Sequence, residues 1–85
     1  HPEYPVIVQK HIEWFQQQVV DGNIGKEYDD YGTKIKQTLS KESNGIMELK
    51  VLDKEKIEEL RERAQNGEKV SVSEEIKKQE EEQAA

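Results

Sequence analysis

The chain has 85 residues, enough for one small domain. It is 32% hydrophobic and 38% charged, with a mean hydropathy of -1.08, so apolar material is scarce and the core has little margin. A net charge of -6 argues against a generic binder of nucleic acid or anionic membrane, since both need a positive field, and 13 cations among 19 anions are too many for a nucleic-acid mimic.

There is no cysteine, which removes disulfides, thiolate metal sites and cysteine nucleophiles. No apolar run approaches the ~20 residues of a membrane span. No signal peptide is visible, which favours a cytoplasmic location, although an opening His1 in place of Met is compatible with a removed leader. No cofactor or metal is expected.

"HPEYP" opens the chain stiffly, because Pro2 and Pro5 each bias the preceding residue away from helix. The spacing predicts a first helix from residue 6 to about 20, with Val8, Ile12, Phe15 and Val19 at intervals of 4, 3 and 4 as its apolar stripe. Trp14 and Ile7 flank that stripe. Gly22 is suited to close the helix in the left-handed conformation. His11 lies three residues before Trp14, so the two rings should stack, whereas His11 and Glu13 are two apart and do not face each other.

Ile24, Tyr28, Tyr31, Ile35 and Leu39 repeat at 4, 3, 4 and 4, predicting a second helix that begins near Lys26. Gly32 inside it marks a close crossing or a kink. "SKESNG", Ser40 to Gly45, is a loop by composition. Two helices with a short connection predict an antiparallel hairpin over 6–40.

After Gly45 the period changes. In "IMELKVL", Met47, Leu49 and Val51 alternate with Glu48 and Lys50, which predicts a short strand or extended segment over 46–52, with Ile46 and Leu52 at its ends. Asp53 is placed to cap a third helix over 53–66, with Leu52 and Ile57 as a hydrophobic staple. Glu59 and Arg63 are spaced for an i,i+4 ion pair. Asn66-Gly67 ends that helix. Val70 and Val72 suit a second short strand, so a two-stranded ribbon between 46–52 and 69–72 is one expectation, and an all-helical chain is the alternative. Ser71 with Glu74 fits a capping box for a last helix. That helix has only Ile76 to bury and is expected to be labile.

The fold class read from these elements is mainly α, a small α+β arrangement. Residues 1–72 form the expected domain and 73–85 a charged, fraying or disordered tail. Residues 1–45 carry 5 cations and 7 anions, and 46–85 carry 8 and 12, so the second half is the more acidic.

"DGNIGKEYDDYG", Asp21 to Gly32, lies between two helices and resembles a calcium-binding EF-hand loop. That loop needs oxygen ligands at its positions 1, 3 and 5, Gly at 6 and Glu at 12. With Asp21 first, position 5 is Gly25, position 6 is Lys26 and position 12 is Gly32; placing Gly25 at 6 puts Val20 first. No register works, so the stretch is a turn and a helix start. Asp29 and Asp30, near a predicted helix N-terminus, are favoured there by the helix dipole without catalysis. "DKEKIEELRERAQNGEKVSVSEEI" resembles the C-terminal helices of flagellar anti-sigma factors: a charged helix ending in Gly, a short Val-containing stretch, then another helix. The resemblance implies a regulator that acts by binding a protein. The patterned, aromatic-bearing helices upstream depart from that family.

No catalytic constellation is present. The expected function is non-enzymatic binding of another protein, as in small regulators, inhibitors and assembly chaperones of bacteria and phages. A structural homo-oligomeric subunit is the second expectation, and an anti-sigma-like regulator or a degenerate EF-hand-like calcium binder stands behind it. Trp14, with His11 and Gln18 on the same helical side and Tyr4 and Tyr28 nearby, is the expected binding face, because Trp and Tyr are enriched among interface anchors. The sequence leaves Trp14 two places: closing the core or facing a partner.

Overall fold

The computed structural model describes residues 4–45 and 48–84. Among the described residues four helices follow one another: α1 (Tyr4–Val20), α2 (Tyr31–Glu42), α3 (Lys54–Gln65) and α4 (Val72–Ala84), with a 3-10 turn at Lys26–Tyr28 between α1 and α2. The fold is mainly helical, and no strand occurs among the described residues. Ile46 and Met47, expected at the start of a strand, lie outside them.

α1 is the central element and touches the other three helices, most broadly α3 and α4. Pro5 sits in its first turn, where a missing N–H breaks no helical bond. α1 ends in a Schellman motif: Gly22, at φ 82°, donates to the Val19 carbonyl at 3.1 Å and Asn23 to the Gln18 carbonyl at 2.9 Å. α3 closes the same way, with Gly67 at φ 93° donating to Ala64 and Glu68 to Arg63, each at 3.1 Å. Both ends fall where the sequence places them.

The core has two parts on either side of Gln16. Val19 and Val20 of α1 meet Leu52, Ile57, Leu60, Val72 and Ile76, joining α1, α3 and α4. Ile12 meets Leu49 and Val51, with Val8, Ile35 and Leu39 packed against them, joining α1, α2 and the extended segment. The expected stripe Val8, Ile12, Phe15 and Val19 thus faces inward. Asp53 caps α3, its carboxylate accepting from Lys56 N–H at 2.8 Å, and the stapled pair Leu52 and Ile57 is buried. Ser71 Oγ accepts from Glu74 N–H at 3.3 Å, which begins α4 as expected.

Several expectations need correction. The segment 48–53 is extended and alternates as read, with Leu49 and Val51 buried and Glu48 and Lys50 exposed, but among the described residues it pairs with no strand. The ribbon with 69–72 does not form, because side chains of α1 and α4 take the backbone bonds of both segments. The second helix does not start near Lys26: the chain breaks after the 3-10 turn, which turns Tyr28 and Tyr31 outward and lets Asp29 enter the interior. The expected division at 72/73 falls in the first turn of α4, where Val72 joins Ile76 in the core. Lastly, Arg63 pairs with Glu68 beyond the helix end, while Glu59 pairs with Lys56 at 3.2 Å.

Candidate protein-binding face

The inward side of α1 mixes its apolar stripe with glutamines. Its inner face carries Gln9 and Gln16, with Gln17 at one edge, and each glutamine pairs with a peptide backbone as a neighbouring strand would. Gln9 donates to the Lys50 carbonyl at 2.9 Å and accepts from Lys50 N–H at 2.8 Å. Gln16, only 2% exposed, does the same with Leu52, at 2.9 and 3.1 Å. Gln17 donates to the Val70 carbonyl at 3.0 Å and accepts from Val72 N–H at 2.8 Å. From α4, Gln79 donates to the Val51 carbonyl at 3.3 Å. A buried peptide group without a partner is costly, and a glutamine amide supplies both a donor and an acceptor. These side chains replace the missing strand. The amide of Gln16 also passes so close to Gly32 that a Cβ there would overlap it, so Gly32 marks a close crossing of α1 and α2.

The outer face of α1 exposes two large apolar side chains, Ile7 and Trp14. Ile7, His11, Trp14 and Gln18 recur at 4, 3 and 4 and so share one side. Trp14 stands roughly 160° around the helix from both Ile12 and Gln16, at ~100° per residue. It is 54% exposed and Ile7 is 55% exposed. Trp14 therefore does not close the core. Its ring stacks on His11, with centroids 5.6 Å apart and planes at 29°. Gln18 is half-buried and accepts from Asn23 Nδ2 at 2.9 Å, which ties the end of the stripe to the following loop.

Tyr28 lies on the neighbouring surface. It meets Phe15 edge-on at 6.0 Å and Tyr31 at 5.8 Å, and Phe15 meets Tyr31 at 5.1 Å. This three-ring cluster is continuous with α1 through Phe15 and leaves both tyrosines exposed. Tyr4 opens α1, and its side chain lies outside the described part. On the other flank, Lys10, Glu13, Trp14, Gln17 and Ser73 line a shallow concavity of about 400 Å³. Glu13 is held there by Gln9 Nε2 at 2.8 Å and by Ser73 Oγ at 2.7 Å. His11 and Glu13 point apart, as their spacing requires.

The charged groups are arranged for structure. Asp29 and Arg61 form a buried ion pair that pins the loop before α2 to α3, and Arg61 Nε also reaches the Val19 carbonyl at 3.5 Å. Asp30, next in sequence, points the other way and meets Lys34 at 3.5 Å. The neighbouring carboxylates therefore share no site. Glu75 lies among Lys78, Lys56 and Arg63 at 3.2, 3.4 and 4.0 Å. Burial pushes its carboxyl up, but Lys78 and Lys56 outweigh this and hold it below the usual carboxylate range. The Glu59 carboxylate, with Glu75 behind it, raises Lys56 against a smaller opposing effect of burial.

Among the described residues, no group of three or more His, Asp or Glu is placed to hold a metal ion, and no helix is long and apolar enough to cross a membrane. The chain matches no protein-family model, no curated protein and no solved structure.

Proposed function

We propose that this chain is a non-catalytic protein-binding module that works through the outer face of α1. The observation that carries the proposal is the position of Trp14: in a chain short of apolar material, its largest side chain is spent on the surface. Ile7 and the His11 ring continue that surface along the helix, and Tyr28 and Tyr31 widen it. Aromatic side chains anchor interfaces because they bury much area at little entropic cost. The paired Asp29 and the multiply paired Glu75 support a scaffold role for the buried charges. Within this reading, the protein is a small regulator, inhibitor or assembly chaperone.

The test is site-specific photo-crosslinking in cells. A benzoylphenylalanine is placed at Gln18 on the stripe, and a control at Gln37, exposed on α2. The proposal expects a discrete cross-linked protein, of any identity, from position 18 that is lost with Trp14→Ala. Equal, featureless products from both positions would refute it.

A further inference from the structure

Two of the chain's three asparagines, Asn44 and Asn66, are followed by glycine. In such a pair no side chain on the glycine shields its nitrogen from the asparagine side chain. We propose that Asn44–Gly45, at the end of α2, is a site of spontaneous deamidation, and that the fold protects Asn66–Gly67, at the end of α3. The Gly45 amide gives up its proton to hydroxide, and its nitrogen bonds to Cγ of Asn44. The Cγ–Nδ2 bond breaks and ammonia leaves with a proton from water, closing a five-membered succinimide. Water then adds to either ring carbonyl and opens the ring, leaving aspartate or isoaspartate at position 44. One water is consumed and one ammonia released, with no oxidant or reductant. This inference is independent of the binding face on α1.

The two pairs occupy different registers of the same helix stop. In α3, Gly67 takes the left-handed position without strain, and Asn66 precedes it at φ -86°. α2 also closes with the paired bonds of a Schellman motif: Asn44 N–H donates to the Lys41 carbonyl at 3.3 Å and Gly45 N–H to the Ser40 carbonyl at 2.8 Å. Here Asn44 itself takes the left-handed position, at φ 55°, and the glycine comes one residue late. A residue with a Cβ is strained there, so this stop opens more readily than that of α3. Attack needs that opening, because a Gly45 N–H bonded to Ser40 keeps its proton. The Ser43 hydroxyl, 3.3 Å from the same carbonyl, stays as a donor to Ser40 when Gly45 leaves. Asn44 and Gly45 are exposed, and nothing stands within 4 Å of where a Gly45 side chain would begin, so water reaches the pair. The stop of α3 is reinforced. Asn66 N–H is shared between the Glu62 and Arg63 carbonyls, each at 3.1 Å, the Arg63–Glu68 ion pair brackets the turn, and Gln17 holds the chain just beyond it at Val70. Either product puts a negative charge at the C-terminal end of α2, where the helix dipole disfavours it, and isoaspartate also lengthens the main chain by a methylene. Both loosen the last turn of α2, whose Leu39 packs against the Ile12, Leu49 and Val51 cluster.

The experiment is prolonged incubation of the full chain at mildly alkaline pH and physiological temperature, followed by tryptic mapping with mass spectrometry. Trypsin separates the two pairs, into Glu42–Lys50 and Ala64–Lys69. Deamidation shows as the mass gain of an amide turned into an acid, and isoaspartate elutes apart from aspartate. Synthetic peptides of the same two segments give the unprotected rates. Relative to its own peptide, Asn66 should be slowed by the fold about tenfold more than Asn44, or beyond that. Amide hydrogen exchange reads the opening itself: corrected for intrinsic rates, Gly45 should exchange about tenfold faster than Gly67. Asn44→Gly, which relieves the left-handed strain, should slow exchange at Gly45 severalfold. Equal protection of the two pairs, or the absence of a mass gain in Glu42–Lys50, overturns the inference. A Gly45 amide that exchanges no faster than Gly67, or that is unchanged by Asn44→Gly, removes the strained stop as the cause and overturns it as well.

Discussion

Gln16→Leu should be the most damaging change of a glutamine in this protein, although it makes the chain more hydrophobic. Leucine approximates the volume of glutamine, so no cavity term enters. What is lost is the pairing of one amide with both the N–H and the carbonyl of Leu52, at 3.1 and 2.9 Å, in a place where Gln16 is 2% exposed. An unsatisfied buried polar group costs about 1–3 kcal/mol. Two such groups cost about 2–6 kcal/mol, and gained apolar burial of about 1 kcal/mol offsets part of it. The expected net loss is about 3 kcal/mol, against a total stability of roughly 4–13 kcal/mol for a domain of this length. A loss of that size lowers Tm by roughly 12–24 °C. Gln9→Leu provides the control, since it breaks the same pair of bonds to Lys50 where water can replace them. It should cost under about 1 kcal/mol. Urea unfolding followed by circular dichroism measures both. If Gln16→Leu cost no more than Gln9→Leu, the amide would not be substituting for a strand, and the account of how the extended segment is held would fail.

Gly32→Ala should destabilise by about 1–2 kcal/mol, despite the ~1 kcal/mol that alanine gains in helix propensity, because its Cβ displaces the Gln16 amide from Leu52; in a Gln16→Leu background the penalty should shrink, and an additive result by urea unfolding would contradict this coupling. Asp29→Leu or Arg61→Met alone leaves one buried charge unpaired and should cost about 3–5 kcal/mol, while the double variant should recover much of it; a double variant as unstable as the sum of the singles would refute mutual compensation. Glu75 has a folded pKa below its ordinary value of 4.5, so the stability it contributes is present above that value and is lost as pH falls through the lowered one. Glu75→Gln should therefore flatten the decline in stability between about pH 5 and 3, and an unchanged acid limb would contradict its pairing with Lys78 and Lys56.

Periodicity and punctuation revealed much of the frame. The stripe Val8–Ile12–Phe15–Val19, the Asp53 cap with its Leu52–Ile57 staple, and the stops at Gly22 and Gly67 are local features, set by residues within a turn or two of one another. The alternation of 48–52 was also readable, since Leu49 and Val51 do face inward. Its partner was not. Alternation reports which side is buried and says nothing about what satisfies the backbone, so a strand was expected where a helix supplies amides. Gln9 and Gln16 stand three before and four after Ile12, on its inward side, and that register was the available signal. The Asp29–Arg61 pair had none, because 32 residues separate the two and both read as surface charges.

The inward glutamines also bear on the outward tryptophan. A helix inside a small domain ordinarily turns its apolar residues to the core and its polar ones to water. In α1 the two extended segments need hydrogen-bond partners, so inward positions 9 and 16 and the edge position 17 go to glutamine. Those requirements account for the polar residues inside. They place no demand on the opposite side, where lysine or glutamate at positions 7 and 14 would leave every described core contact intact and raise solubility. Ile7 and Trp14 occupy those positions instead, with His11 stacked between them, so folding alone does not account for the outer face. Trp14 is 54% exposed, and its ring stacks on His11, itself exposed. The binding role proposed for this face would account for Ile7 and Trp14 on the exterior of α1. The separation can be measured, since Ile7→Lys should leave the urea midpoint within about 0.5 kcal/mol of the parent and yet weaken association. A large loss of monomer stability would return Ile7 to the fold and remove that reason.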